Sequence, residues 1–322
     1  MSRSNRTSVQ LVKVSADHDD QRLDNFLSSR LKGLPRSALY RMIRTGQVRI
    51  NGGRCKPSTR LSEGDEVRIP PARIREQGEK AVSDQVCSQI RNAVLFKNSD
   101  FLVLNKPSGM TVHAGSGLPW GLIDVVRKLH PGEYCELAHR LDRETSGCLL
   151  LARNGKSLKH LTGLFRDGRV QKFYLCLLDG DMKQPMVRVD APLQKVQAGA
   201  ERQIEVNAEG KPALTRFWCL QVYPGCTYAQ AELLTGRTHQ IRVHARHIGM
   251  PLAGDTRYAP KESVKQWHKK GLQRVFLHAH RLSFETLSGE ELEFSAPLPE
   301  HLKAVLDRLE EGADNHHALH KS

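Results

Sequence analysis

The stretch His139-Arg140-Leu141-Asp142-Arg143-Glu144-Thr145-Ser146-Gly147 runs straight into Cys148-Leu149-Leu150-Leu151-Ala152. The apolar half predicts a buried strand, because a short unbroken apolar run has no exposed face. The polar half is then a loop delivered by a rigid element, where reactive groups are usually carried. Cationic or potentially cationic side chains surround the carboxylate of Asp142. Nearby positive charge favours the ionised form of a carboxylate. Asp142 is therefore suited to act as a nucleophile or an electrostatic anchor, and poorly suited to act as an acid at neutral pH. On composition alone, a salt-bridged surface loop is the simpler reading.

Around this stretch lie 322 residues, room for two domains and a sizeable core. The hydrophobic fraction is 39% and the mean hydropathy −0.49, values that suit a soluble globular protein. No apolar run is long enough to span a membrane, and Met1 to Thr7 lead into no signal-peptide core. The cytoplasm is the expected location. Seven cysteines, at 55, 87, 135, 148, 176, 219 and 226, form no C-x-x-C pair. Neither a zinc site nor a disulfide framework is expected of them. The formal net charge is +14, which favours a polyanionic partner. No basic amphipathic helix with bulky apolar residues opposite is apparent, so nucleic acid is preferred over a membrane surface.

The charge is concentrated. Residues 16–75 carry thirteen Lys/Arg against seven Asp/Glu. Between Phe26 and Ser62 there is no acid, yet nine bases: Arg30, Lys32, Arg36, Arg41, Arg44, Arg49, Arg54, Lys56 and Arg60. Leu23, Phe26, Leu27 and Leu31 fall at helical spacing, with Gly33 and Pro35 as the stop. Ser37 can cap a second helix that turns Leu39, Met42 and Ile43 inward and stops at Gly46. Val48 to Asn51 alternates like a strand, Asn51-Gly52 marks a turn, and Val67-Arg68-Ile69 can pair with it. Arg36, Arg41 and Arg44 avoid the apolar stripe and are free to face phosphates; Arg54 and Lys56 follow them as candidate contacts. A solvated helix face usually mixes signs, and this one does not.

The segment resembles the S4 RNA-binding domain, through Arg22 to Leu27, Ser37 to Gly46, Val48 to Asn51 and Gly64-Asp65-Glu66-Val67. Pro70 to Ala81 reads as a linker. From about Val94 the chain reads as mixed α and β. Strands are expected at Leu102–Leu104, Phe173–Leu178, Phe217–Val222 and Tyr228–Leu234, and a helix around Leu158, Leu161, Leu164 and Phe165. Gly312 to Ser322 is polar and expected to fray.

A second polar cluster is Thr235-Gly236-Arg237-Thr238-His239-Gln240-Ile241-Arg242-Val243-His244. Thr238 can cap a helix running to Ile248, on which His239 and Arg242 share a face. The histidines 239, 244 and 247 lack the zincin spacing, and no metal site is expected. Asn105-Lys106-Pro107-x-Gly109, His113, the His139–Gly147 stretch, Lys172-x-Tyr174, Gly236 to His244 and Asp255-x-x-Tyr258 occur in one order. Together they resemble the RluA-type pseudouridine synthases over about Val94 to Pro297. One departure is Ala259, where glycine is usual after the tyrosine.

The resemblance implies an α+β protein, with a small basic S4-like α/β RNA-binding domain at 16–75 and a linker at 76–93. A mixed, mainly antiparallel-sheet catalytic domain follows at 94–310, then a tail at 311–322. It implies isomerisation of uridine to pseudouridine in large-subunit (23S) ribosomal RNA, with no cofactor, and nothing points to an obligate oligomer, so a monomer is expected. By position, Asp142 matches the catalytic aspartate and Arg140 the arginine that enters the RNA stack when the uridine leaves it. Tyr174 matches the active-site tyrosine and Arg242 the basic partner of the aspartate. Lys106, His113, His139 and Arg237 are expected as RNA contacts or loop supports. Two other classes compete. A glycosidase would want two opposed carboxylates, and only one is conspicuous. A non-catalytic RNA-binding or ribosome-assembly protein gives no reason for the surroundings of Asp142.

Overall fold

Leu149 and Leu151 belong to one apolar cluster and Cys148, Leu150 and Ala152 to another, so the strand Ser146–Ala152 is covered on both faces. That is why its sequence shows no alternation. The computed structural model describes residues 4–6, 8–31, 33–75, 82–114, 120–198 and 201–319. Ser146–Ala152 lies inside a ten-stranded sheet. The neighbours run in the order Met186–Asp190, Leu214–Tyr223, Cys226–Leu233, Gln171–Leu178, Leu277–Glu285, Ser146–Ala152, Phe101–Lys106 and Val94–Lys97. Glu291–Ser295 and Glu136–Leu137 pair beside Leu277–Glu285 and Ser146–Ala152 respectively. The named pairings are antiparallel except one, Leu277–Glu285 with Ser146–Ala152, which is parallel. The sheet is thus mixed and mainly antiparallel, in an α+β domain.

That parallel pair depends on a glycine. Gly147 has φ +110, and a Cβ there would sit 2.1 Å from the Ala279 carbonyl oxygen. A side chain at 147 would push the two strands apart at the end where the Asp142 loop begins.

The four strands expected from the sequence all form, within Phe101–Lys106, Gln171–Leu178, Leu214–Tyr223 and Cys226–Leu233, the last ending one residue short of the expected Leu234. The expected helix spans Gly155–Arg166, capped by Asn154, whose side chain accepts from the Ser157 amide. The segment 76–93 is only partly a linker. Residues 76–81 lie outside the described residues, but Asp84–Asn92 is a helix capped by Ser83 that buries Cys87 and Ile90 in the catalytic core. At the other end Glu300–Leu319 is one helix, so the chain stays helical into the segment expected to fray; 320–322 lie outside the described residues.

The basic module folds as its spacing predicts. Helices Leu23–Arg30 and Arg36–Arg44 bury Leu23, Phe26, Leu27, Leu39, Met42 and Ile43 against Val48 and Val67. Arg49–Ile50 pairs with Glu66–Ile69, which also pairs with Gln10–Lys13. The second helix begins at Arg36, ahead of Ser37. Its N-cap is Pro35, which has no side-chain group to cap with. Tyr40 Oη donates to Asp24 at 2.9 Å, and Arg22 forks onto the same carboxylate, tying the two helices together.

The module is docked on the catalytic domain. The Asp17 carboxylate accepts from the Gly155 amide at 3.1 Å, at the start of Gly155–Arg166. The His18 ring lies between Phe26 of the module and Tyr134 of the catalytic domain, at 5.2 and 6.0 Å.

Candidate active site

The Asp142 loop is built from its carbonyls outward. Lys106, the last residue of Phe101–Lys106, is fully buried. Its ammonium donates to the carbonyls of Pro107, Arg143 and Thr145 at 2.8, 3.1 and 2.9 Å. Ser108 Oγ and Arg274 both donate to the Glu144 carbonyl, at 3.0 and 2.9 Å. The Gly109 amide donates to Arg143 O at 2.8 Å. Three consecutive carbonyls, 143, 144 and 145, are thus held by donors from distant segments. Burial draws the Lys106 amine down to about 7, with Arg274 adding to the effect and Glu144 and Asp142 opposing it. The three carbonyl acceptors favour the protonated form.

Asp142 keeps 31% of its side chain exposed, so the carboxylate faces the open side of this scaffold. Its Oδ2 lies 3.9 Å from Arg242 Nη1 and 3.8 Å from His239 Nε2. Arg242, on the helix Gln240–His247, is only 9% exposed. Its stronger partner is Asp255, bound by a two-pronged fork at 2.7 Å on each side. The sequence reading pairs Arg242 with Asp142. The structure pairs it first with Asp255 and leaves Nη1 for Asp142. Burial works against the Arg242 charge, but Asp255 outweighs it and holds the guanidinium above its ordinary pKa.

Tyr174 is brought in by strand register. It pairs with Ala279 on one side and Ala231 on the other, two residues small enough to leave space for its ring. Burial, with the Asp142 charge adding, raises its phenol above the ordinary range. It stays a neutral hydroxyl within electrostatic reach of the carboxylate.

The remaining expected residues divide into two groups. Arg140, His113 and Arg237 are exposed, as are Arg36, Arg41, Arg44, Arg54 and Lys56 of the basic module. Arg237 is anchored through Nε to Pro212 O, leaving the rest of its guanidinium outside. Lys106 and His139 are not at the surface. Lys106 spends its protons on the loop, as above, and cannot also meet a phosphate. His139 Nε2 accepts from the Leu150 amide at 3.0 Å, and its ring stacks on Phe165 at 4.5 Å. Burial holds it neutral, down to about 3. Of the two roles expected for them, RNA contact or loop support, their hydrogen bonds serve the second. Of the three histidines weighed against a metal, His239 Nδ1 meets Tyr258 Oη and His244 bonds Thr215 and Ala191 O, while His247 is exposed. Ala259 is not among the non-glycine residues with positive φ, so alanine sits there without strain.

Comparison with known proteins places this geometry. A family model described as RNA pseudouridylate synthase matches residues 100–247, and an S4 domain model matches 21–67. The chain is 43% identical over 310 residues to ribosomal large subunit pseudouridine synthase C of Haemophilus influenzae, covering 95% of this chain and 96% of that one. It is 45% identical over 310 residues to the same-named protein of Escherichia coli K12, covering 94% and 97%. The chain belongs to the RNA pseudouridine synthase family. Among solved structures, the synthase shares its fold with human RNA Pseudouridylate Synthase Domain Containing 4. That match has a TM-score of 0.59 and 24% identity over 70% of this chain and 96% of that one.

The sequence suggests no role for several residues of the synthase's site, whether outside the motifs (Arg274, His278) or within them (Ser146, Gln240). Arg274, nearly buried, donates to the Glu144, Val275 and Leu277 carbonyls, to Ser146 Oγ and to His301 Nε2. Ser146 Oγ in turn meets His278 Nδ1, whose Nε2 donates to Ala296 O. The available hint was a lone arginine abutting the apolar run Val275-Phe276-Leu277. Gln240 is the other. Its carbonyl takes bonds from Thr235 and the Arg237 amide, and its amide donates to Leu214 O and Thr215, fixing the second polar cluster.

Proposed function

We propose that the synthase isomerises uridines of large-subunit (23S) ribosomal RNA, with Asp142 as the catalytic carboxylate. The observation that carries this is Asp142 itself. It is a partly exposed aspartate on a loop whose carbonyls are clamped from behind, with a buried cation beside it and a phenol within electrostatic reach, in a chain of this family. The relatives' names supply the RNA. The S4 module supplies a second, cationic surface for it.

The chemistry asks for these groups. The N1–C1′ bond must break, the uracil must turn, and a C5–C1′ bond must form while the C5 proton leaves to solvent and N1 regains one. Atoms balance with no oxidant or reductant, so no cofactor is assigned. The uridine must first leave the stack, at a cost of about a few kcal/mol. Arg140, exposed at the start of the loop, can fill the gap with a flat cation. Asp142 attacks the sugar or base, or stabilises charge as the glycosidic bond breaks. Arg242, locked by Asp255, keeps a fixed positive charge against it at no cost of reorganisation. Tyr174 offers an aromatic wall and a neutral hydroxyl for proton transfer. RNA contacts are assigned to Arg36, Arg41, Arg44, Arg54 and Lys56 on the module, and to His113 and Arg237 near the site. The protein is assigned to the cytoplasm and acts as a monomer. A purely RNA-binding role would leave the clamped loop and the Arg242–Asp255 fork without a purpose.

The test is release of tritium from carbon 5 of labelled ribosomal RNA. Asp142→Asn is expected to abolish release while RNA binding survives. Retained turnover would overturn the assignment.

A further inference from the structure

His239 occupies a backbone conformation that residues other than glycine uncommonly adopt. Its backbone is left-handed, with φ 55 and ψ 19. Among the described residues only Asp20 and Asn51 share a positive φ without being glycine, and both lie in turns of the basic module. Asn, Asp and His enter that region more often than other side chains, but only glycine does so without steric cost. Strain of this kind persists where the surrounding structure demands a particular side chain.

The demand is visible. Tyr258 Oη is 2.7 Å from His239 Nδ1 and 3.4 Å from the Ile204 amide, which donates to it. Nε2 faces the carboxylate of Asp142, with Oδ2 at 3.8 Å, and that carboxylate can only accept. A neutral ring therefore carries its proton on Nε2 and takes the phenol's proton at Nδ1, while the Ile204 amide fills a lone pair of the phenol oxygen. The hairpin Leu193–Ala198/Glu201–Val206 supplies Ile204, and Leu193, Ile204 and Val206 pack with Tyr258. The second polar cluster, held by Gln240, sets the backbone from which the imidazole projects.

We infer that His239 is a positioning residue for Asp142, a neutral donor whose tautomer is supported by Tyr258. This rests on the reading of Asp142 as the catalytic carboxylate. The imidazole and Arg242 approach the same oxygen, Oδ2. Together they turn the carboxylate so that Oδ1 is the oxygen offered to the substrate. Burial keeps the ring neutral against the pull of Asp142. A second full cation at that place would bind the carboxylate more tightly and blunt it as a nucleophile or base. The 3.8 Å separation is long for a hydrogen bond, and such contacts in unliganded enzymes tighten when substrate arrives.

The experiment uses the full chain with labelled ribosomal RNA, in four variants: His239→Gly, His239→Gln, Tyr258→Phe and Asp142→Asn. Glycine suits the backbone, so His239→Gly is expected to keep or raise the thermal midpoint. Its turnover at saturating RNA falls roughly ten- to hundredfold, the worth of a hydrogen bond to a charged group, with KM unchanged. His239→Gln, whose amide is a neutral donor, recovers part of the rate. Tyr258→Phe costs less, and adds little on top of His239→Gly. A wild-type rate in His239→Gly beside an inactive Asp142→Asn overturns the inference alone, as does a glutamine variant no better than glycine. Should His239→Gly fail to fold, the glutamine and Tyr258→Phe rates decide: both at the wild-type value overturn it. Turnover retained in Asp142→Asn would strike the reading beneath it, and this inference too.

Discussion

The basic helix Arg36–Arg44 and the Asp142 loop both depend on cations, and they use them in opposite ways. On the helix, Arg36, Arg41 and Arg44 stand in solvent. Around the loop, Lys106, Arg242 and Arg274 are buried and turned onto carbonyls and carboxylates of the protein itself. The formal charge of +14 counts all of them alike. The comparison teaches that burial decides the job. An exposed cation can neutralise a phosphate and release its counterions. A buried one has already given its donors away, and what it offers is a fixed carbonyl or a fixed charge.

The largest way to break this division is at Lys106. Lys106→Met removes the donor to three carbonyls at a fully buried position. Each unsatisfied buried group costs about 1–3 kcal/mol, so the thermal midpoint should drop sharply and turnover fall by about a hundredfold or more, with residual RNA binding. If Lys106→Met instead loses RNA affinity while folding and turning over normally, the residue is a phosphate contact after all. Calorimetry with binding isotherms on the same preparation separates the two.

On the exposed side, Arg41→Glu with Arg44→Glu should leave the fold intact, since neither residue belongs to the buried face of its helix. RNA affinity should fall about tenfold or more. The slope of log K against log salt should also become shallower, by roughly one for each phosphate that is no longer neutralised. An unaltered slope would mean that the RNA lies elsewhere.

This contrast was only half legible in the sequence. The exposed half could be read, because an acid-free helix face beside an apolar stripe suits a polyanion and an ordinary solvated face mixes its signs. Asp142, Tyr174 and Arg242 were also within reach, as each stands in a motif. The buried half was not. Lys106 and His139 look like RNA contacts in sequence because nothing local says that a charged or polar side chain points inward. Their partners, the carbonyls of 143 and 145 and the amide of 150, are backbone atoms that any residue possesses. Arg274 and His278 reach the loop from about 130 residues away through strand pairing. The Arg242–Asp255 fork was missed as a pair, since the motifs show both residues and not which carboxylate comes nearer.

The smallest effect concerns pH. Burial holds His139 at about 3 and His278 at about 4, below the ordinary 6.5. Above pH 6.5 folded and unfolded chains both carry these rings neutral. Below it the unfolded chain takes up protons that the folded one refuses, so stability is lost as pH falls toward those values. The thermal midpoint should decline by several degrees between about pH 7 and pH 5. A midpoint that holds steady or rises over that range would show that these rings are not held neutral.

Capture of the RNA and chemistry on it belong to different charged groups, and one paired measurement tests that. Single-turnover tritium release at saturating ribosomal RNA, and the equilibrium affinity for the same RNA, are determined for Asp142→Asn and for the Arg41→Glu/Arg44→Glu variant. The predicted result is crossed: the first loses its rate and keeps its affinity, and the second loses affinity and keeps its saturating rate. Both variants losing the same quantity, whichever it is, would contradict it.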